Sequence, residues 1–118
     1  MKRDMELIRK IMLRAESGDG GVCPPIQIDG YTTTQIGYHC YLIAKMGLAE
    51  GSDAEMSATG PNWSLSFLTP EGHDFIDAIR DDTVWQRTWG LVTSAVTSVT
   101  FDLLKQIATQ YAKEKMGI

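Results

Sequence analysis

The chain of 118 residues is poor in the side chains that metal centres and nucleophilic active sites use. It has two cysteines, Cys23 and Cys40, and two histidines, His39 and His73. Their positions lack the paired spacing of zinc sites. We expect Cys40 to be a core residue and His39 to be bound to backbone atoms. The sequence therefore predicts no metal ion, no cofactor and no enzymatic activity.

Long apolar runs are absent as well. No stretch approaches the roughly 20 apolar residues that a membrane-spanning helix requires. Residues 1–6, MKRDME, carry charges where a secretory signal needs apolar residues. Two cysteines are too few for the disulfide framework of a small secreted domain. We expect a cytoplasmic protein with reduced thiols and no contact with a membrane.

Basic residues are scarce in the middle of the chain. Residues 49–82 contain eight acidic residues and one basic residue, whereas residues 1–48 contain six basic and five acidic residues. A surface that binds duplex DNA is expected to be basic where it meets phosphate, because counterion release supplies much of the affinity. Residues 48–67 contain no Lys or Arg. This segment is therefore a poor candidate for contact with a phosphate backbone.

The apolar pattern predicts several helices and a hairpin. A first helix begins after Asp4 as N-cap and ends at the glycine-rich residues 17–21. Residues 26–28 alternate as a short strand does, and a second helix follows over residues 33–46. Strands near residues 48–58 and 63–68 are expected to pair as a hairpin. Later helices begin after Thr69, restart at residues 81–83 and begin again at Phe101, with residues 92–100 as a linker or an extended crossing.

This order of elements favours a mainly α structure with a small β-hairpin wing, in the α+β class. Specifically, it predicts a winged helix-turn-helix-like domain over residues 1–92. Residues 93–118 form a C-terminal helix that packs on this domain or makes a dimer contact, within a single domain overall. The residues that we expect to share one core are Ile36, Cys40, Ile43, Leu65, Phe67, Phe75 and Ile79.

The second predicted helix carries the candidate binding surface. Ile36, Cys40 and Ile43 fall on one side of it at 100° per residue. The residues on the opposite side, which include Tyr38 and Tyr41, are able to hydrogen-bond base edges or phosphates, or to stack on bases. These two tyrosines are also able to pack against the C-terminal region, a second subunit or another protein. The candidate nucleic-acid-binding residues are Thr34, Gln35, Tyr38, Tyr41 and Lys45, with Arg3 and Lys10 of the first helix as phosphate contacts.

The chain also resembles a known family. The resemblance lies in residues 1–10, 30–31, 36–39 and 47–48, and above all in residues 68–85, LTPEGHDFIDAIRDDTVW. These look like the domain of unknown function 2513 family of small bacterial and phage-associated proteins. The resemblance covers nearly the whole chain and implies a winged-helix-like fold in a prophage or mobile-element setting. It implies no activity, and no functional residues are carried over from it.

Two functions of different class remain open. The first is a small DNA-binding transcriptional regulator, expected to be a homodimer. The second is a non-enzymatic protein-interaction module, such as a phage accessory or inhibitor protein, that uses the same fold. The order of the elements favours DNA as the partner, and the acidic middle of the chain favours a protein.

Overall fold

The computed structural model describes residues 1–53, 60–94 and 100–117. Within them it has five α-helices and one two-stranded antiparallel sheet, which confirms the mainly helical α+β class. The chain divides into two compact units, Met1–His73 and Asp74–Ile118. No helix in the described part is both long and apolar enough to cross a membrane. The elements are α1 (Met5–Glu16), a short 3₁₀ helix (Asp19–Gly21), α2 (Thr33–Lys45), β1 (Ala49–Asp53), β2 (Trp63–Leu68), α3 (Pro70–Ile79), α4 (Asp82–Ser94) and α5 (Phe101–Met116).

Helix α1 begins where the sequence predicts. The Asp4 carboxylate caps it by accepting a hydrogen bond from Leu7 N–H at 3.1 Å. The helix packs against α2 and β2. The residues of α1 that are buried are Met5, Leu7, Ile8, Arg9, Ile11, Met12 and Ala15. Each large apolar side chain among them stabilises the fold by about 1.5–3 kcal/mol through its removal from water.

The connection between α1 and α2 differs from the prediction. The short strand predicted at residues 26–28 is wrong, because this segment has no strand. Cys23 N–H donates to the Ser66 carbonyl at 2.8 Å, but Pro24 and Pro25 follow and have no N–H with which to continue a ladder. The turn of a helix-turn-helix pair has three or four residues. Residues 17–32 form a longer connection between α1 and α2.

Helix α2 ends in a motif that turns the chain directly into the hairpin. Gly47 has a φ of 78°, a left-handed conformation that glycine adopts without strain. Its N–H donates to the Ala44 carbonyl at 3.0 Å, and Leu48 N–H donates to the Ile43 carbonyl at 3.2 Å. These are the two hydrogen bonds of a Schellman motif. The predicted helix over residues 33–46 is therefore confirmed to within one residue.

The hairpin contains a bulge that corrects one core prediction. Glu50 pairs with Phe67, whereas the next residue, Gly51, pairs with Leu65, so Ser66 is an extra residue on β2. An extra residue reverses the side of the sheet to which the following side chains point. Leu65 is buried, but Phe67 is 50% exposed. The prediction that Phe67 lies in the core is wrong, because simple alternation along β2 does not anticipate the bulge.

Thr69 joins the end of α2 to the beginning of α3. Its hydroxyl donates to the Gly47 carbonyl at 2.6 Å and accepts from Gly72 N–H at 3.1 Å. Its own N–H donates to the Leu48 carbonyl at 3.1 Å. A Cβ atom on Gly72 would lie 1.9 Å from the same carbonyl oxygen, so only glycine fits there. This contact fixes the chain that leaves the hairpin against the end of α2.

The second unit contains a pair of packed helices, α4 and α5. Asp81 begins α4 by accepting hydrogen bonds from Thr83 N–H and Val84 N–H, at the restart that the sequence predicts. Phe75, Ile79 and Trp85 are buried. Helix α4 continues through Ser94, so the predicted linker begins later than residue 92. The rest of that segment, residues 95–99, lies outside the described residues, as do residues 54–59 of the predicted hairpin.

Three side-chain contacts join α4 and the residue that precedes it to α5. The Arg87 guanidinium lies 3.8 Å from the centre of the Tyr111 ring and 2.9 Å from a Glu114 carboxylate oxygen. The Lys115 ammonium bonds the carboxylate of Asp81. That bond, followed by the hydrogen bond from Val84 N–H, lowers the pKa of the Asp81 carboxyl. Both ion pairs are exposed, so their contribution to stability is small.

Candidate nucleic-acid interface

The N-terminus of α2 is held by a reciprocal cap. The Thr32 hydroxyl accepts from Gln35 N–H at 3.1 Å, and Gln35 Oε1 accepts from Thr32 N–H at 2.8 Å. This capping box occupies the side-chain oxygen of Gln35 and leaves its amide nitrogen as the group available to a ligand. Thr34 is exposed on the first turn. Of the two predicted contact residues Thr34 and Gln35, Thr34 is therefore more available to a ligand.

The outer face of α2 carries a row of aromatic rings. The Tyr38 and Tyr41 ring centres are 5.9 Å apart, and the Trp63 ring of β2 lies 5.6 Å from Tyr41. The Lys45 ammonium lies 5.9 Å from the centre of the Tyr41 ring and 5.5 Å from that of Trp63. We call Tyr38, Tyr41, Trp63 and Lys45 the aromatic ladder. All three rings are half-buried and Lys45 is exposed.

Trp63 is a member of the ladder that the sequence predicts only as the first residue of a strand and not as a contact residue. Its signal was the alternation of Trp63 with Leu65, which puts both side chains on the side of β2 that faces α2. Predicting the contact also requires knowing how α2 packs on β2. A single helix or strand considered alone does not supply that packing.

The beginning of α1 lies beside α2 because His39 joins them. His39 is 2% exposed, and its Nε2 accepts from Asp4 N–H at 2.9 Å. The proton must then be on Nδ1, which donates to the Gln35 carbonyl at 2.7 Å. This confirms that His39 is bound to backbone atoms. The bond also brings Asp4, and with it the adjacent exposed Arg3, next to the N-terminal half of α2.

Tyr31 extends this junction towards Lys10. Its hydroxyl donates to Asp4 Oδ2 at 3.3 Å, and the Lys10 ammonium lies 5.6 Å from the centre of its ring. Burial, followed by the nearby Asp4 carboxylate, raises the pKa of the Tyr31 hydroxyl. Lys10 is exposed. The sequence does not identify Tyr31 as a member of this surface, because its contact with Asp4 crosses 27 positions of sequence.

The hairpin offers a different surface. Its strands contain no Lys or Arg, and Glu50 and Asp53 of β1 are exposed. Asp53 Oδ1 accepts from Asn62 N–H at 3.4 Å. The exposed carboxylates would repel a phosphate backbone. The predicted contact residues therefore lie on α2, on α1 and just before α1, next to a hairpin of opposite charge.

The two thiols lie in the first unit. Cys40 is 1% exposed, which confirms that it is a core residue. Burial, followed by the neighbouring Cys23, raises the pKa of the Cys40 thiol to about 12. Burial also raises the pKa of Cys23. A thiol whose pKa is raised in this way stays protonated at neutral pH and is a poor nucleophile and metal ligand.

Comparison with known proteins identifies relatives without an assigned activity. The model of the family described as "Hypothetical protein (DUF2513)" matches residues 2–98. An uncharacterized protein of Haemophilus influenzae is 34% identical over 110 residues, which cover 92% of each chain. No solved structure matches. The family model covers most of the chain and agrees with the resemblance found from the sequence, so the protein belongs to the DUF2513 family.

Proposed function

We propose that the protein is a small DNA-binding regulator of winged-helix type, in which α2 lies in the major groove of duplex DNA. The observation that carries the proposal is the outer face of α2. Thr34 and Lys45 are exposed there, Tyr38 and Tyr41 are half-buried between them, and α2 contains no acidic residue. A helix with polar and aromatic side chains on its outer face fits the major groove, which is about 12 Å wide.

The groups proposed to contact DNA, on α2 and at the start of the chain, are of two kinds. The hydroxyls of Thr34 and Tyr38 are donors and acceptors for base edges, and these contacts discriminate between sequences. The cations of Arg3, Lys10 and Lys45 suit phosphate oxygens, which position the protein without reading sequence. Three such contacts give a modest dependence on salt, with a slope of about −0.9 for each phosphate.

The proposal leaves the hairpin out of the phosphate contact. Glu50 and Asp53 would face the DNA backbone if the hairpin lay along it, and no cation in β1 or β2 offsets them. A wing that adds no cations limits affinity, because phosphate contacts supply much of non-specific binding. We therefore expect binding that is measurable at low salt and weak at high salt.

The test is selection from a pool of random duplexes, followed by anisotropy titrations at about 50 mM salt. Tyr38→Phe removes one hydroxyl and should relax the sequence preference while leaving the salt slope unchanged. Tyr111→Phe in the second unit is the matched control and should change neither. Arg3→Ala and Lys10→Ala should each lower the slope by about one. The absence of any bound duplex at micromolar protein would contradict the proposal.

A second candidate function, docking of a protein partner, is supported by the outer face of the hairpin. Phe67 is 50% exposed and Val22 is 63% exposed. Val22 precedes Cys23 and Phe67 follows Ser66, and Cys23 N–H donates to the Ser66 carbonyl. Exposed large apolar side chains are typical of protein interfaces. We expect a partner captured from native host extract to be lost with Phe67→Ser but retained with Leu103→Ser, an equally exposed leucine of α5.

A homodimer remains a proposal as well. Leu91 of α4 is 46% exposed and Leu103 of α5 is 45% exposed. A two-fold dimer would present two copies of α2 to two half-sites. Light scattering at micromolar concentration should give about twice the chain mass of 13.1 kDa. A mass equal to that of one chain would reject the dimer and leave the proposed DNA-binding face unaffected.

A further inference from the structure

The first unit contains an open groove of about 400 Å³ on the side of α2 that faces β2. Three segments line it: the extended residues 23–26, residues 62–65 and the first half of α2. Its size is within the range of small-molecule binding sites. The lining includes Cys23, Thr33, Gly37, Cys40, Asn62 and Trp63.

The lining determines the charge of an occupant. It contains no acidic residue, no basic residue and no histidine. An ion in such a groove would lose part of its hydration without gaining an opposite charge, so an uncharged occupant is favoured. Two side chains are able to hydrogen-bond a neutral ligand: the hydroxyl of Thr33 and the amide of Asn62. A matching occupant is therefore uncharged and apolar, with one or two polar groups.

The walls also favour a small molecule over a peptide strand. Pro24 and Pro25 have no N–H, and Cys23 N–H already donates to the Ser66 carbonyl. An extended peptide finds few backbone donors along this wall, so it cannot add to the sheet there. The Trp63 indole instead provides a flat aromatic surface. Planar rings stack on such a surface with a gain beyond their burial alone.

The groove is formed in advance of any ligand. A Cβ atom on Gly37 would lie 2.0 Å from the amide oxygen of Asn62, so α2 and the 62–65 segment already touch there. The two elements cannot approach further to close the groove. The capping box at Thr32 and the hydrogen bond from Cys23 N–H hold the remaining walls. A ligand that enters a preformed site does not have to order it first.

We propose that this groove binds an uncharged, mainly apolar small molecule whose planar ring lies against Trp63 and whose polar group faces Thr33 or Asn62. Trp63 belongs to both this groove and the aromatic ladder. Binding in the groove does not require DNA. The proposal is therefore independent of the proposed function, and the two fail separately.

The test uses 2-naphthalenemethanol as the uncharged probe and 2-naphthoate as its charged counterpart, with the full chain and no DNA. Amide shifts in nuclear magnetic resonance spectra should saturate with the uncharged probe at Ile36, Gly37 and Leu65. Naphthoate should bind at least about tenfold more weakly, equivalent to about 1.4 kcal/mol. The absence of saturable shifts, or equal binding of both probes, would overturn the proposal.

Variants locate the site. Thr33→Phe at the exposed start of α2 fills part of the groove and should abolish the shifts. Thr34→Phe is the matched control, because Thr34 is exposed on the same turn and does not line the groove. The spectrum of each free variant shows whether it is folded. If Thr33→Phe is unfolded, Ile26→Trp on the extended segment replaces it. Binding that survives the folded filling variant would place the probe elsewhere and would refute the assignment.

Discussion

Helix α2 and the hairpin that follows it are neighbours in sequence and in space, yet their exposed surfaces are opposite in character. The outer face of α2 has two tyrosines, an exposed lysine and no carboxylate. The outer face of the hairpin has Glu50 and the half-exposed ring of Phe67. Both α2 and the hairpin pack on the same core. The shared core therefore leaves the chemistry of each outer face free to differ.

This difference holds although the two elements are in direct contact. Trp63 of β2 connects them, because its ring packs on Tyr41 and lies beneath the Lys45 ammonium. The hairpin supports the helix from the side instead of extending the charged surface. The contrast can be tested at the buried sides of both elements and at their outer faces.

The two faces of β2 should respond very differently to truncation. Leu65→Ala removes a buried side chain and should lower the free energy of unfolding by about 2–5 kcal/mol. Phe67→Ala removes a larger side chain that the bulge directs outward, and should cost less than about 1 kcal/mol. Denaturant titrations of both variants measure the difference. Equal losses would show that Phe67 is in the core and that the bulge is wrongly placed.

The buried thiol of Cys40 on α2 should make the free energy of unfolding depend on pH in the alkaline range. The pKa of Cys40 in the folded chain is raised from 9.0 to about 12. The stabilisation that this buried, protonated thiol provides is fully present below the pKa of the unfolded chain. It is lost as pH rises towards the pKa of the folded chain, because only the unfolded chain loses the proton in this range. The free energy of unfolding should fall by up to about 1.4 kcal/mol per pH unit above pH 9.

Cys40→Ala provides the control for that slope. The variant should be less stable at neutral pH because it leaves a cavity, but its slope above pH 9 should be shallower than that of the wild type. Cys23→Ala should reduce the slope by a smaller amount, since the pKa of this thiol is also raised. Identical slopes in the wild type and in Cys40→Ala would contradict the burial of this thiol.

The junction between α1 and α2 should depend on His39. His39→Ala leaves Asp4 N–H without its acceptor and removes a buried ring, which should cost about 1–3 kcal/mol. His73→Ala is the matched control: His73 is exposed, and its removal should change stability by less than about 0.5 kcal/mol. Thermal unfolding of the two variants compares them directly. Similar melting temperatures of the two variants would show that His39 does not join the start of α1, and with it Arg3, to α2.

Local patterns in the sequence predicted most of the elements. The caps at Asp4 and Thr69, the end of α2 at Gly47 and the buried residues Ile36 and Ile43 are confirmed, because each depends on interactions within a few residues. The placement of His39 against backbone atoms was also correct. Family membership followed from the motif in residues 68–85.

The errors and omissions arise from contacts between distant parts of the chain. The bulge at Ser66 is set by pairing with β1, so alternation within β2 alone misplaced Phe67. The strand predicted at residues 26–28 failed because it has no partner beyond Cys23. Trp63 and Tyr31 enter the candidate surface only when the elements are assembled. Composition and periodicity do not encode these registers.

A pair of charge reversals tests most directly whether α2, and not the hairpin, contacts DNA. Anisotropy titrations of a selected duplex would compare Lys45→Glu with Glu50→Lys at several salt concentrations. Lys45→Glu should weaken binding by roughly tenfold at about 50 mM salt and reduce the salt slope. Glu50→Lys should change affinity by less than about threefold and leave the slope unaltered, because the proposed interface leaves the hairpin out of phosphate contact. A larger effect of Glu50→Lys than of Lys45→Glu would contradict this account of the interface.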